Sequence, residues 1–458
     1  MDGISIYDPA STRPLNVTNT DNRLIASAAR LAIEPILAEY ITRDQNGFLR
    51  GRSMLGNLVD IDEGMARAAL QEQAAIALFF DFAAAFPSVE HAVLDAYFTS
   101  LGWPPWLRYI IKALYSRNFC YIQMGSSRYD GFPITRGVRQ GCPLSPLLFA
   151  AISELILRRL RRSVPRTINR AYADDLAMIV YDGINVLPIL FTLFSEFASF
   201  SGLVLNIDKT VLVPLFPFDI LELRRIISLI TAGWRGISIA DCAKYSGFFV
   251  GPGKKRLSWI KPVGKFLERS AAWGSLGLGL HMSLRAFRCY IASVLLFVAQ
   301  LEHLPEGFSD TEAKAVRRLV PGPYRWTNPD ALKELMQFGF PTNLACVPSM
   351  AHAAKSRVLL YEARDSGGLD ILNRASQLRR IMDQYTTFAR LVWVHTWISG
   401  CFLFSVKQGH TTVQHALREV DRLGRAIPAL VQWRSQLAAV AGDIDESDEP
   451  RRKRRKFK

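Results

Sequence analysis

The chain alternates apolar runs with short polar breaks, and the runs predict a mixture of buried strands and helices. Residues 75–80, Ala-Ile-Ala-Leu-Phe-Phe, form an uninterrupted apolar stretch of strand length that stops at Asp81, the pattern of a strand covered on both faces. Two further apolar runs, 168–172 and 176–181, flank Ala173-Asp174-Asp175 and predict a β-hairpin with acid at its tip. Taken alone the acidic turn is ordinary, because Asp is a favoured turn residue. Residues 120–124 and 130–134 read as another hairpin around Gly125-Ser126-Ser127.

Helical patterns fill much of the rest. Residues 19–43 predict a helix capped by Asn19, Thr20 or Asp21, with a kink at Pro35. Residues 91–117 predict a helix broken in two by Gly102-Trp103-Pro104-Pro105. Ser145 followed by Pro146 is a helix start, with the hydroxyl capping free amides and the proline pre-set for the first turn, and this helix runs to residue 162. Its last turn holds Arg158, Arg159, Arg161 and Arg162, which suit a helix C-terminus and can also face phosphates. After Gly251-Pro252-Gly253 comes a basic helical stretch with Lys254, Lys255, Arg256, Lys261, Lys265 and Arg269. Trp259 and Phe266 interleave with these bases, so the stretch can either lie along a duplex minor groove or present a solvated face. Pro321-Gly322-Pro323 reads as a linker, and residues 328–441 as several helices rich in Trp, Leu and Ala.

The candidate chemistry lies in the acids that end the strands. A carboxylate at the end of a buried strand must be paired, neutralised or metal-bound, because burying it alone costs several kcal/mol. If Asp81 meets Asp174 and Asp175, three hard oxygen ligands converge, a set suited to Mg²⁺ bound together with substrate phosphates. Two such ions can activate an attacking hydroxyl and stabilise a leaving phosphate oxygen. Spacing alone does not bring these acids together.

Five blocks in order resemble a reverse transcriptase of the LINE-type (non-LTR) retrotransposon family. They are Gln45-Asn46-Gly47-Phe48 with Gly51-Arg52-Ser53; Phe80-Asp81 with Ala85-Phe86; the thirteen residues 137–149, Gly-Val-Arg-Gln-Gly-Cys-Pro-Leu-Ser-Pro-Leu-Leu-Phe; Tyr172-Ala173-Asp174-Asp175; and Ser201-Gly202-Leu203 with Asn206 and Lys209-Thr210. A sixth, Tyr245-Ser246-Gly247-Phe248 with Gly251, resembles the primer-grip hairpin. The resemblance covers roughly residues 13–251 and is most specific in the 137–149 block.

This resemblance implies an α+β right-hand polymerase fold, with an antiparallel-sheet palm, helical fingers and thumb, and a helical C-terminal region. The implied segments are fingers over 1–72, palm over 73–250 with inserted fingers elements at about 92–136 and a primer grip at about 243–251, and a thumb-like segment over 251–317. Residues 318–441 then form a helical region without a legible role, and 442–458 a charged tail. The implied activity is RNA-directed DNA synthesis from an RNA template, a DNA primer and dNTPs, with two Mg²⁺ ions or Mn²⁺ in their place. Asp81, Asp174 and Asp175 are the implied metal ligands, and Lys209 the implied proton donor to pyrophosphate. Arg13, Phe86, Gln140 and Gly141 are implied at the nucleotide, with Phe86 rejecting a ribose 2′-hydroxyl. Tyr245, Gly247 and Phe248 are implied at the primer, and Lys254, Lys255, Arg256, Lys261 and Lys265 along the duplex. By residue type alone, Phe86 reads as an ordinary core phenylalanine and Lys209 as a solvated surface lysine.

The chain departs from the family where relatives have Lys and Asp around the Ala-Phe pair and this chain has Ala84 and Pro87; neither position is a metal ligand in the family. Only twelve residues precede Arg13, so the upstream fingers segment with its triphosphate-binding lysine is expected to be missing, as in a fragment of a longer element. A non-catalytic nucleic-acid-binding protein derived from such an element and a group II intron-like reverse transcriptase are the rival readings.

Charge supports a polyanionic partner, since the net charge is +15 and the pI about 9.7. Seven bases in 451–458 are nearly offset by five acids in 443–449, so the excess is spread over the body of the chain. That favours salt-dependent, sequence-independent phosphate contacts. The terminal run Arg451-Arg452-Lys453-Arg454-Arg455-Lys456 reads as a nuclear-import signal, which places the protein in the nucleus, or as a nonspecific nucleic-acid tail, which leaves the cytoplasm as the alternative. Six cysteines are scattered without a Cys-x-x-Cys pair, the pattern of reduced thiols instead of a disulfide or zinc framework. No endonuclease domain or Cys/His knuckle is legible. Apolar stretches such as 290–301 are expected to be too short for a membrane span.

Overall fold

The computed structural model describes residues 18–71, 74–320, 322, 326, 329–364, 371–384, 397–398 and 400–406; Arg13 and the basic tail 451–458 lie outside them. The chain divides into two compact units, one made of residues up to 57 with 72–246, the other of 58–71 with the residues from 247 onward. Residues 58–71, expected with the fingers, therefore belong to the later unit.

The first unit is built on β1 (Ile76–Phe80), whose five residues are all buried, as the apolar run requires. The chain then forms an exposed hairpin of β2 (Asn118–Met124) and β3 (Ser127–Ile134), followed by β4 (Thr167–Tyr172) and β5 (Asp175–Val180). With β6 (Val211–Pro214) and β7 (Ser238–Ile239) the main sheet has the order β4-β5-β1-β6-β7. Its pairs are antiparallel except β6 with β7, which run parallel, so the expected antiparallel sheet holds for all but its last edge. Alternation selects the face: Leu78, Met178 and Leu212 stand in register across the middle of the sheet and enter the apolar core.

Helices close over that core. In chain order the unit contains α1 (Thr20–Tyr40), the start of α2 (Met54–Gln71), the single turn α3 (Ala85–Ser88), α4 (His91–Ser100) and α5 (Pro105–Tyr115). α6 (Ser145–Ser163), α7 (Leu187–Ser201) and α8 (Ile220–Ile230) follow. α1 continues through Pro35, and Asn19 caps it without a side-chain bond. α4 and α5 are split where expected, at Gly102 with φ of 68° and at Pro104. Ser145 does not cap α6; it is the first helical residue, wholly buried, and its Oγ lies 2.9 Å from the Tyr115 hydroxyl. Proline-led helix entry was legible in sequence, but tertiary packing took the serine hydroxyl for another partner.

Two of the four arginines expected to face phosphates from the end of α6 pair with buried acids. Arg158 Nε donates to Glu154 at 2.7 Å and its guanidinium sits 4.1 Å from the Tyr40 ring centroid. Arg161 Nη2 donates to Asp44 at 2.7 Å. Arg159 lies within 3.9 Å of Glu196, both side chains being exposed.

The second unit is helical, with α9 (Leu257–Gly274), α10 (Gly279–Ala286), α11 (Leu296–Ala299), α12 (Phe308–Leu319), α13 (Pro329–Lys333), α14 (Val347–Arg364) and α15 (Ile371–Gln384). Here the duplex-facing expectation is corrected. Trp259 and Phe266 are buried, and Phe266 packs between Phe287 and Phe308 at ring distances of 5.8 and 5.7 Å. Lys254 is buried as well: its Nζ donates to Asp62 Oδ1 at 3.0 Å and lies 4.1 Å from the Phe402 ring centroid. A lysine held this way cannot neutralise a phosphate. Arg256 pairs with Glu306 at 2.6 Å, while Lys255, Lys261 and Lys265 are exposed.

Two helical runs, Gly183–Ser201 and Gly279–Ala299, are long and apolar enough to cross a bilayer by length and composition, contrary to the sequence expectation. Their buried positions, among them Leu190, Phe194 and Phe197 in the first and Leu284, Phe287 and Ile291 in the second, pack inside their own units.

Candidate active site

Antiparallel pairing decides where the acids meet. β1 runs against β5 with Phe80 opposite Leu176, so the next position of β1, Asp81, reaches the end of the sheet where Asp175 begins β5. β4 and β5 are joined by a two-residue turn, Ala173-Asp174, with Tyr172 opposite Asp175. All three expected carboxylates therefore stand at one end of the sheet. Partial burial, reinforced by the Asp174 and then the Asp81 charge, pushes the Asp175 carboxyl above the usual carboxylate range, against a 3.2 Å hydrogen bond donated by Ser246 and the Lys244 charge. Among the described residues, no three His, Cys, Asp or Glu side chains converge into a metal-binding cluster, so the expected three-ligand arrangement is met in position but not in convergence.

The loop 201–210 holds the backbone of Asp81. Asn206 N donates to Asp81 O at 2.7 Å, and Thr210 folds back onto Asn206 through its amide and its hydroxyl, at 3.0 and 2.8 Å. Lys209 sits on this turn, exposed, with its amide 3.3 Å from Asn206 Oδ1. Pairing of the loop with the strand exit thus carries Lys209 toward the acid end of the sheet.

On the other side of Asp81, α3 carries Phe86. Val138 N donates to Phe86 O at 2.8 Å and Gly137 N to Val89 O at 2.7 Å, which docks the 137–149 block on this helical turn. Gly137 has φ of 93°, and a Cβ there would lie 2.5 Å from Pro87 O, so the approach needs glycine. Gln140 is half-buried and Gly141 exposed in the loop that follows. Phe86 itself is half-buried, stacked on Phe149 at 4.7 Å and 12° and edge-on to Phe48 at 6.1 Å. Phe48 also reaches Tyr172, at 6.2 Å. Phe86 is therefore packed on one face and only partly covered overall.

The first motif has a structural role that the sequence reading did not see. Gln45 is wholly buried against the acidic turn. Its Oε1 accepts from Gly47 N at 2.8 Å and Ala173 N at 3.1 Å, and its Nε2 donates to Ser153 Oγ at 2.9 Å and Ala173 O at 3.2 Å. Asn46 N donates to Ala171 O at 2.8 Å, and Asn57 Nδ2 donates to the same carbonyl at 2.8 Å. Arg52 holds the loop from below, donating to the carbonyl oxygens of Ala38, Ile41, Thr42 and Gln45 at 2.6 to 2.7 Å. The available signal was a Gln-x-Gly triplet shortly before Gly51-Arg52-Ser53, but only the fold aims it at a residue 128 positions away.

Of the primer-side residues, Tyr245 lies in the first unit, buried, with its hydroxyl donating to Arg170 O at 3.0 Å. Gly247, with φ of 93°, and Phe248, buried against Phe297 and Phe402, lie in the second.

The family model described as reverse transcriptase (RNA-dependent DNA polymerase) matches residues 5–248, more than half of the chain. The chain belongs to the reverse transcriptase family. Among curated proteins this reverse transcriptase-family chain is similar to the Transposon TX1 uncharacterized 149 kDa protein of Xenopus laevis, at 28% identity over 38% of this chain and 14% of that protein. It is similar to the Pol polyproteins of the R2 retrotransposable elements of Popillia japonica, 26% identical over 45% of this chain and 30% of that protein, and of Nasonia vitripennis, 30% over 38% and 17%. These relatives agree with the LINE-type, non-LTR branch of the family. The matched segments span less than a third of those relatives' own lengths. A solved structure of apo telomerase from Candida tropicalis is 13% identical, with a TM-score of 0.39 over 91% of this chain and 61% of that one.

Proposed function

We propose that the chain is an RNA-directed DNA polymerase that extends a DNA primer on an RNA template. The observation that carries the reading is the antiparallel register that brings Asp81 to the sheet end occupied by Asp174 and Asp175. The donor chemistry suits Mg²⁺, since Asp81, Asp174 and Asp175 are hard carboxylates at one end of the sheet, and the Asp174 and Asp81 charges add to the burial that raises Asp175. Asp81 and Asp174 are the residues to hold it, with Asp175, tied to Ser246, assisting. When bound, Mg²⁺ supplies a more acidic primer hydroxyl and neutralises the charge of triphosphate and pyrophosphate.

The chain's own residues supply positioning. The loop at Gln140 and Gly141 docks beside Phe86. The primer 3′-hydroxyl gives its proton to solvent water as its oxygen forms the bond to the α-phosphorus and the bond to the pyrophosphate bridging oxygen breaks, and Lys209 gives a proton to that leaving oxygen. The exposed Lys255, Lys261 and Lys265 contact duplex phosphates from the second unit.

Phe86, stacked on Phe149, lies under the sugar. Phe86→Val is expected to raise ribonucleotide incorporation relative to deoxyribonucleotide by about 10-fold or more, the usual scale for a steric pocket change. Single-nucleotide extension with matched rNTP and dNTP checks this, and an unchanged ratio removes Phe86 from sugar selection. The function itself is tested by primer extension on an oligo-primed RNA template with Mg²⁺ and labelled dNTPs. Template-dependent product supports the polymerase reading; salt-sensitive duplex binding without any extension supports a protein that only binds.

A further inference from the structure

The turn that presents Asp174 is strained where hairpins ordinarily avoid strain. Ala173 occupies the first central position of a two-residue loop at φ of 59°, a left-handed conformation that such turns normally assign to glycine. A non-glycine residue there persists only where its surroundings over-determine it. Here one side chain does so. Gln45 grips both polar groups of Ala173, accepting from its N–H and donating to its C=O. Its two remaining bonds, from Gly47 N and to Ser153 Oγ, complete the two donors and two acceptor sites of an amide, which fixes the orientation of that amide. Ser153 Oγ gives its own proton to Ala150 O at 3.0 Å, so it is free to accept from Gln45. Gly47 is part of the device, because a Cβ on it would lie 2.3 Å from Ala173 N.

Resting on the polymerase reading, we propose that Gln45 is a positioning residue that locks the Ala173 peptide in its left-handed conformation and thereby sets where Asp174 points. Gln45 touches no reacting atom. It acts through the backbone of the residue before the carboxylate.

The test compares Gln45→Met, which keeps the length of the side chain and loses all four hydrogen bonds, with Gln45→Met/Ala173→Gly, in which glycine adopts the positive φ unaided. Gln45→Met is expected to lower kcat for primer extension by about 10-fold to 100-fold, as a small misplacement of a catalytic group does. The Mg²⁺ concentration for half-maximal rate is expected to rise in that variant, with duplex affinity unchanged. The added Ala173→Gly is expected to restore both quantities toward the parent, because it removes the need for the clamp. A core that has merely lost packing would not be rescued by a glycine in the turn. Should Gln45→Met fail to fold, Ser153→Ala removes one support of the amide and is expected to shift kcat and Mg²⁺ demand in the same direction. Unchanged kcat and Mg²⁺ demand, or a loss that Ala173→Gly leaves in place, overturns the proposal. Amide hydrogen exchange separates this result from the polymerase reading: the Ala173 N–H is expected to exchange about 10-fold or more faster in Gln45→Met, with the Leu78 and Met178 amides little affected. An inactive parent that shows this difference leaves the clamp standing without the polymerase, and an equally protected Ala173 in both proteins removes the clamp.

Discussion

Asp174→Asn is expected to abolish nucleotide incorporation while the protein stays folded and bound to nucleic acid. The exchange keeps the shape of the side chain and removes one charge from the acid end of the sheet, where the β1–β5 register and the β4–β5 turn gather Asp81, Asp174 and Asp175. A loss of about 10³-fold or more in rate corresponds to about 4 kcal/mol of barrier. The effect on stability is expected to be small, because removing the Asp174 charge relieves part of the repulsion on the Asp175 carboxyl. Asp175→Asn is expected to cost less activity, since that carboxylate already accepts a hydrogen bond from Ser246. Primer extension and duplex binding measured side by side check the prediction. Undiminished extension by Asp174→Asn would remove this carboxylate from catalysis altogether.

Asp62→Ala is expected to be the most destabilising single change outside the active site. Asp62 pairs with Lys254 at 3.0 Å and accepts from Phe402 N at 2.7 Å, and both charged side chains are buried. Removing the acid strands an ammonium group in the core, a change that typically costs about 3–5 kcal/mol. Burial pulls Lys254 down, but Asp62, Cys401 and Glu302 around it outweigh that and hold it above the ordinary lysine value. Its folded pKa being raised, the pair's contribution is complete below the unfolded lysine value of about 10.4 and fades only as pH rises beyond it. Denaturant unfolding at neutral pH checks the magnitude. The double exchange Asp62→Leu with Lys254→Met is expected to recover most of the loss, because an apolar pair of similar volume replaces the ion pair without leaving a charge behind. A double variant as unstable as Asp62→Ala would show that the backbone bond to Phe402, and not the stranded charge, sets the cost.

These two predictions concern residues that the sequence treated very differently. Asp174 was legible because local patterns announce it: two runs with strand character, a two-residue acidic turn and an apolar strand ending in Asp81. Lys254 was misread because it stands in a run of bases, and a run of like charges ordinarily marks a solvated or phosphate-facing surface. Nothing within several residues of Lys254 signals that an acid 192 positions earlier is its partner. The same limit applies to Ser145, whose sequence is a helix cap and whose hydroxyl meets Tyr115.

The sequence by itself determined the strand over 75–80 and its end at Asp81, the hairpin that carries Asp174, the helices begun near Asn19, His91 and Ser145, and the reverse transcriptase family. Those are set by local periodicity, turn chemistry and short ordered motifs, whose physics acts over a few residues. Only the tertiary structure decided that Asp81 and Asp175 share one sheet end, that Trp259, Phe266 and Lys254 turn inward, and that Gln45 grips Ala173. Each of these depends on which groups are desolvated together. Burial makes a paired charge or a satisfied amide worth keeping, and it is a property of the folded neighbourhood that no local pattern encodes.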